Sequence, residues 1–270
     1  MAHFETNDGV PIYYTDNGSG DPILLIHGWT MNGGYWFQKN EPALAEDHRV
    51  ITMDLRGHGR SGKTNDGHTL AQYARDVREL LETEALTGVT PVGWSMGTAV
   101  LLNYFEQFGS DRLDRAVFVD QSPKFHNDEE WSHGLLGEFS GDAATELATN
   151  LEYNRASAAK PFIEAMFTEP PDGETVDEMY AETTKTPTDV TTEIFLDMTY
   201  SDLRPVLDTI DVPVLLLYGE QSKIFPTDVG AWLEGAISEA THVPFAESGH
   251  CPFWEEPEKF NDEIAAFVDT

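Results

Sequence analysis

The chain has 270 residues, enough for one large domain or one domain with an insertion, and its 40% apolar content excludes a disordered chain. Its 48 acidic residues against 16 Lys and Arg leave a formal charge of −32, which disfavours nucleic acid and anionic membranes as partners. No apolar run approaches the roughly 18–20 residues that span a bilayer, and no basic-then-apolar leader follows Met1, so a cytoplasmic location is expected.

The acidic residues are spread along the chain, not gathered in a tail. Such a lysine-poor surface resembles that of proteins from salt-loving microbes, where a Debye length of about 3 Å at 1 M salt screens the self-repulsion. The single cysteine, Cys251, excludes an intrachain disulfide and a zinc site built from paired cysteines. Packing is its expected use. Asn17-Gly18-Ser19 fits a glycosylation acceptor but reads better as a turn.

In chain order, Gly9–Tyr14 reads as a strand entered from a turn. Ile23–Ile26 is a continuous apolar run ending at His27-Gly28, as expected of a strand covered on both faces. Arg49–Asp54 is another, running into the glycine-rich Arg56-Gly57-His58-Gly59. Leu70–Glu82 carries helical spacing, with Leu70, Tyr73, Val77, Leu80 and Leu81 on one side. Val89–Trp94 is a buried strand followed by Ser95 and a helical stretch, Thr98–Phe108. Further strands are expected at Ala116–Val119, Val212–Tyr218 and Thr241–Phe245. This alternation predicts an α/β fold with a mostly parallel, doubly wound sheet, whose ligands bind at the carboxyl ends of the strands.

The stretch from Pro123 to Pro205 breaks the rhythm. It has no clear buried strand, and its helix-like pieces are separated by Ser140-Gly141, Pro170-Pro171-Asp172-Gly173 and Thr186-Pro187. The expected organisation is a core of residues 1–122 and 206–270 with a helical cap inserted at 123–205.

Gly93-Trp94-Ser95-Met96-Gly97 fits G-x-S-x-G between a strand and a helix. That spacing places a serine on a strained turn that exposes its hydroxyl, and small flanking residues avoid clashes there. The Met96 backbone N–H can then hold an oxyanion. His27-Gly28-Trp29 ends an earlier buried strand, and the Trp29 N–H is the expected second donor. Ser248-Gly249-His250 follows the last strand, where a loop can carry the imidazole to Ser95.

With these residues in view, the chain resembles the α/β-hydrolase superfamily, in the branch of esterases, carbon–carbon bond hydrolases, perhydrolases, lactonases and dehalogenases. The resemblance is carried by His27-Gly28-Trp29, Asp54-Leu55-Arg56-Gly57-His58-Gly59-Arg60-Ser61, Gly93–Gly97, Ser248–Phe253 and Glu256–Phe260. It implies a helical cap and a Ser–His–acid triad. Asp54–Ser61 is expected to brace loops. A serine at position 95 argues against dehalogenase or epoxide hydrolase chemistry, which needs a carboxylate there.

The acid departs from the usual pattern. Most such proteins carry Asp in a glycine-x-x-Asp pattern after the strand ending at Tyr218. Here the pattern reads Gly219-Glu220-Gln221-Ser222, and serine cannot stabilise an imidazolium. Some place the acid after the preceding core strand, which here ends Val119-Asp120. Asp120 is the expected acid, with Glu220 as the alternative.

No metal or cofactor motif is present, and the chemistry needs none. The expected function is a serine hydrolase that cleaves an ester, lactone or related acyl bond of a small to medium apolar substrate. The cap carries Phe125, Trp131, Phe139, Phe162, Met166, Phe167, Met179, Tyr180, Phe195, Met198 and Tyr200, of which some are expected to face the serine and form an apolar pocket and the others to pack the cap helices. Two alternatives are a perhydrolase or haloperoxidase-like enzyme with the same triad, and a non-catalytic receptor on a hydrolase scaffold.

Overall fold

A computed structural model of the chain describes residues 2–270. Its centre is an eight-stranded sheet: β1 (Ala2–Glu5), β2 (Pro11–Gly18), β3 (Pro22–Ile26), β4 (Arg49–Met53), β5 (Thr90–Trp94), β6 (Ala116–Val119), β7 (Val214–Gly219) and β8 (Ala240–Phe245). The spatial order is β1-β2-β4-β3-β5-β6-β7-β8. The first two pairings are antiparallel and the rest parallel. Strands β5, β6 and β7 are buried along their whole length, which explains their unbroken apolar runs.

The order matters for function. The chain steps from β3 out to β4, then returns to lay β5 on the other side of β3. Loops leaving β3 and β5 therefore diverge and open a crevice at the carboxyl ends of the strands. His27-Gly28-Trp29 leaves β3 there, and Ser95 leaves β5.

Helices pack on the sheet. The helix α1 (Leu70–Thr83) buries Leu70, Tyr73, Val77, Leu80 and Leu81, the face its spacing predicts. Its amino end is capped by the Thr69 hydroxyl, which accepts from the Gln72 N–H at 3.2 Å. The helix α2 runs Met96–Phe108, starting two residues before the expected Thr98 because the elbow leads straight into it. Between β6 and β7 lie α3 (Gly141–Ala165), α4 (Gly173–Thr183) and α5 (Thr188–Tyr200). Their boundaries fall at the predicted breakers, with Ser140 and Asp172 capping α3 and α4 through their side chains. Asn154 interrupts α3 with φ −153° and ψ 63°. Two further helices, α6 (Val229–Ala236) and α7 (Pro257–Val268), close the fold.

Sequence reading missed β1, in which only Phe4 is buried, and the four-residue helices Gly33–Trp36, Glu41–Leu44 and Pro252–Glu255. No helix among the described residues is long and apolar enough to cross a membrane.

Candidate active site

The nucleophile elbow is built by close approach. Ser95 sits at φ 53° and ψ −119°, a conformation that L-residues avoid and that the surrounding structure must hold. A Cβ on Gly93 would lie 2.5 Å from the Gly97 carbonyl carbon, and one on Gly97 would lie 2.3 Å from the Ile26 oxygen. Only glycine at both positions lets β5, α2 and the end of β3 meet. The Ser95 N–H donates to the Val119 oxygen at 2.9 Å, and the Ser95 oxygen accepts from the Thr98 N–H at 2.8 Å. These bonds fix the turn from both sides.

Beside the elbow, His27-Gly28-Trp29 approaches so closely that a Cβ on Gly28 would lie 3.3 Å from the Ser95 Cβ. Thr30 then takes φ 62°, a left-handed value for a β-branched residue. Three bonds hold that strain. The Met31 N–H donates to the Gly28 oxygen at 3.2 Å. The Thr186 hydroxyl donates to the Thr30 oxygen at 3.2 Å, and the Trp29 indole N–H donates to the Thr191 oxygen at 2.9 Å. Two of these partners come from the helical segment between β6 and β7. Among the described residues, neither the Trp29 nor the Met96 backbone N–H has an acceptor. Unpaired N–H groups at a helix amino end and on the facing loop can hold an oxyanion.

His27 itself is structural. Its Nε2 accepts from the Leu55 N–H at 3.0 Å while Nδ1 faces the Gly28 oxygen at 2.8 Å. That pairing needs the neutral ring, and full burial lowers its pKa below 6.5. His58, its ring tilted against that of His27 with centroids 5.2 Å apart, is pushed down further by the same cause. Asp54 braces both neighbouring turns, accepting from the Gly33 N–H at 2.8 Å and from the Arg60 N–H at 2.7 Å.

His250 is buried, and its Nδ1 lies 2.8 Å from Asp120 Oδ1. Asp120 leaves β6 at φ 40°. Its other oxygen accepts from the Gly219 N–H at 3.3 Å. Ser222, at the position where the usual pattern has an acid, donates its hydroxyl to Asp120 Oδ1 at 3.0 Å. Glu220 is exposed, with its N–H on the Phe245 oxygen at 2.9 Å. The carboxylate that faces the imidazole is that of Asp120.

The histidine loop is fastened from three directions. Trp94, next to the elbow serine, donates its indole N–H to the His250 oxygen at 2.9 Å and packs its ring 5.5 Å from the imidazole. The His250 N–H donates to the Met166 oxygen at 2.8 Å, just past α3. Glu255 accepts from the Gly249 N–H and the Thr168 N–H, both at 2.8 Å. Sequence reading singled out Ser222 only as a serine at the usual acid position, and it missed the bond from Ser222 to Asp120 and the fastening roles of Trp94 and Glu255, because these depend on distant partners and not on local spacing. Among the described residues no hydrogen bond joins the Ser95 hydroxyl to the imidazole. Such contacts often tighten only when substrate is bound.

Ser95 opens into a narrow, largely enclosed space lined by Trp29, Phe125, Leu135, Leu147, Phe162, Phe195, Met198, Ile224 and Phe225. Of the aromatic and methionine residues expected in the helical segment, Phe125, Phe162, Phe195 and Met198 reach it. Trp131 instead packs against Trp232, and Tyr200 is 65% exposed. Cys251 is fully buried, which raises its thiol pKa well above the ordinary value and suits packing. Among the described residues no cluster of three or more His, Cys, Asp or Glu could hold a metal ion.

The chain and its fold are similar to known proteins. Residues 21–257 match the family described as alpha/beta hydrolase fold. The chain is 30% identical to the AB hydrolase superfamily protein YisY of Bacillus subtilis (strain 168), over all of both chains. It is 28% identical to the bifunctional esterase/perhydrolase DCH of Acinetobacter calcoaceticus, over 99% of each. Its fold superposes on an esterase from Exiguobacterium antarcticum with a TM-score of 0.93, at 26% identity over 100% of this chain and 99% of the other.

Proposed function

This chain belongs to the alpha/beta hydrolase fold family and acts on ester bonds, and from that premise we propose that Ser95, His250 and Asp120 form its catalytic triad. The observation that carries the reading is the 2.8 Å contact between His250 Nδ1 and Asp120 Oδ1 beside a strained elbow serine. In this mechanism His250 Nε2 takes the Ser95 proton as Oγ attacks the ester carbonyl carbon. Asp120 holds the ring in the Nδ1–H tautomer and stabilises the imidazolium. The Trp29 and Met96 N–H groups receive the oxyanion. The intermediate collapses, the alcohol leaves with the proton from His250, and the acyl group remains on Ser95. Water, deprotonated by His250, then releases the acid.

The helical segment 123–205 acts as a cap. It supplies Phe125, Phe162, Phe195 and Met198 to an otherwise apolar space, which supports a small to medium apolar acyl group. The charge of −32 supports a protein adapted to work in concentrated salt.

Steady-state hydrolysis of p-nitrophenyl esters of graded chain length tests this. Activity on short and medium acyl chains that vanishes in Ser95→Ala supports the reading. Activity unchanged in Ser95→Ala overturns it. The likeness to a bifunctional esterase/perhydrolase supports a second reading, in which peroxide replaces water in the second step. Peracid formation measured beside hydrolysis separates the two.

A further inference from the structure

A second cavity lies behind the one that holds Ser95. Both are lined by Trp29 and Phe162, whose rings meet edge to face at 5.8 Å and form the partition between them. The inner cavity is otherwise apolar, with Met31, Leu151, Ala159 and Ile163 on its walls, except for Thr30, Thr183 and Arg155.

Arg155 follows the break in α3 at Asn154 and lines the cavity. It donates to the Thr186 oxygen and to the Thr183 oxygen, both at 2.6 Å, and so caps the carboxyl end of α4. These two bonds leave part of the guanidinium fork unused. Its Nε–H is buried without an acceptor. No carboxylate pairs with Arg155 among the described residues, although the chain carries 48 acidic residues against 16 basic ones. Desolvating a cation without a counter-charge is costly, and burial lowers the pKa of this one. The missing counter-charge and the orphan N–H both face a need that a carboxylate meets, with charge-assisted hydrogen bonds.

We propose that the cavity at Arg155 is a distal subsite for a carboxylate at the far end of the acyl chain, so that the substrates include half-esters of linear dicarboxylic acids. The inference rests on Ser95 being the site of acyl transfer. The ester end meets Ser95, the Trp29 and Phe162 rings part to admit the methylene chain, and the free carboxylate reaches the guanidinium.

Methyl esters of linear monocarboxylic acids and monomethyl esters of dicarboxylic acids, matched in length, test this with the full chain. For at least one length, the ratio of kcat/KM for half-ester over neutral ester should exceed one. Arg155→Gln should lower that ratio at least tenfold, mainly through KM. A ratio below one at every length, or a ratio unchanged in Arg155→Gln, overturns the proposal and assigns Arg155 to capping alone. Binding by titration calorimetry separates this from failure of the hydrolase reading. Half-esters should bind Ser95→Ala and bind the Ser95→Ala, Arg155→Gln double variant at least tenfold more weakly. No difference between the two overturns the subsite even if the enzyme hydrolyses esters. A clear difference with hydrolysis independent of Ser95 supports a carboxylate site at Arg155 and overturns its link to acyl transfer.

Discussion

Ser222 Oγ donates to Asp120 Oδ1 at 3.0 Å, and that same oxygen lies 2.8 Å from His250 Nδ1. A serine thus stands where an acid is usual and hydrogen-bonds the carboxylate that faces the imidazole from the end of the neighbouring strand. The two residues follow the carboxyl ends of β6 and β7, which pair in parallel.

That relation predicts an order of effects. Asp120→Asn should lower kcat by roughly 10⁴-fold, as loss of the acid does in a Ser–His–Asp triad. Ser222→Ala removes one hydrogen bond to a carboxylate that keeps its Gly219 N–H partner, so a loss of about tenfold is expected. Ser222→Asp in the Asp120→Asn background should recover part of the activity, because it restores a carboxylate beside the imidazole. Steady-state kinetics on a p-nitrophenyl ester checks the series. Asp120→Asn equal to wild type would exclude Asp120 as the acid.

The helical segment between β6 and β7 also reaches the loop that follows β3. Thr186 is fully buried, and its hydroxyl holds the strained Thr30 beside Trp29. Thr186→Val should lower kcat by about tenfold with little change in KM, since a loosened donor matters most in the transition state. A thermal midpoint measured in parallel separates this from lost stability. An unchanged kcat with an intact midpoint would show that the Thr186 contact does not tune the oxyanion loop.

Acid should destabilise the protein through His27 and His58. Burial keeps both pKa values below the ordinary 6.5. As pH falls below 6.5 the unfolded chain takes up protons at these two rings before the native chain does, so stability falls until the lowered native pKa values are passed. Each ring contributes up to ~1.4 kcal/mol per pH unit in that range. Urea unfolding between pH 7 and pH 5 should show the midpoint falling, with a shallower fall in His58→Gln. A slope identical in wild type and His58→Gln would remove His58 from this account.

Salt should act in the opposite sense. With a formal charge of −32, carboxylate repulsion is felt across about 10 Å at 0.1 M salt and across only about 3 Å at 1 M. Raising potassium chloride through that range should raise the thermal midpoint by on the order of 10 °C, the response to a few kcal/mol in a chain of this size. A flat midpoint would argue against adaptation to salt.

Much of this was legible in the sequence, for physical reasons. Apolar runs such as Ile23–Ile26 and Ala116–Val119 are long enough to signal a strand covered on both faces. Gly93 and Gly97 mark a turn that no other residue fits. Breakers such as Pro170-Pro171-Asp172-Gly173 separate helices because their backbone cannot continue one. Other features carry no local signal. Strand β1 lies at the sheet edge and buries only Phe4. Trp94 occupies a variable position of the elbow pattern, yet its indole fastens a loop 156 residues away. Arg155 stands out only because no carboxylate among the described residues pairs with it, which spacing cannot reveal.

The most direct test of the account is covalent capture of the nucleophile. Wild-type protein treated with a fluorophosphonate should gain one phosphonyl group in intact-mass spectrometry, and peptide mapping should place it on Ser95. Ser95→Ala should gain none, and Asp120→Asn should react far more slowly. A label on any other residue, or labelling retained in Ser95→Ala, would contradict the assignment of Ser95 as the group that attacks the ester.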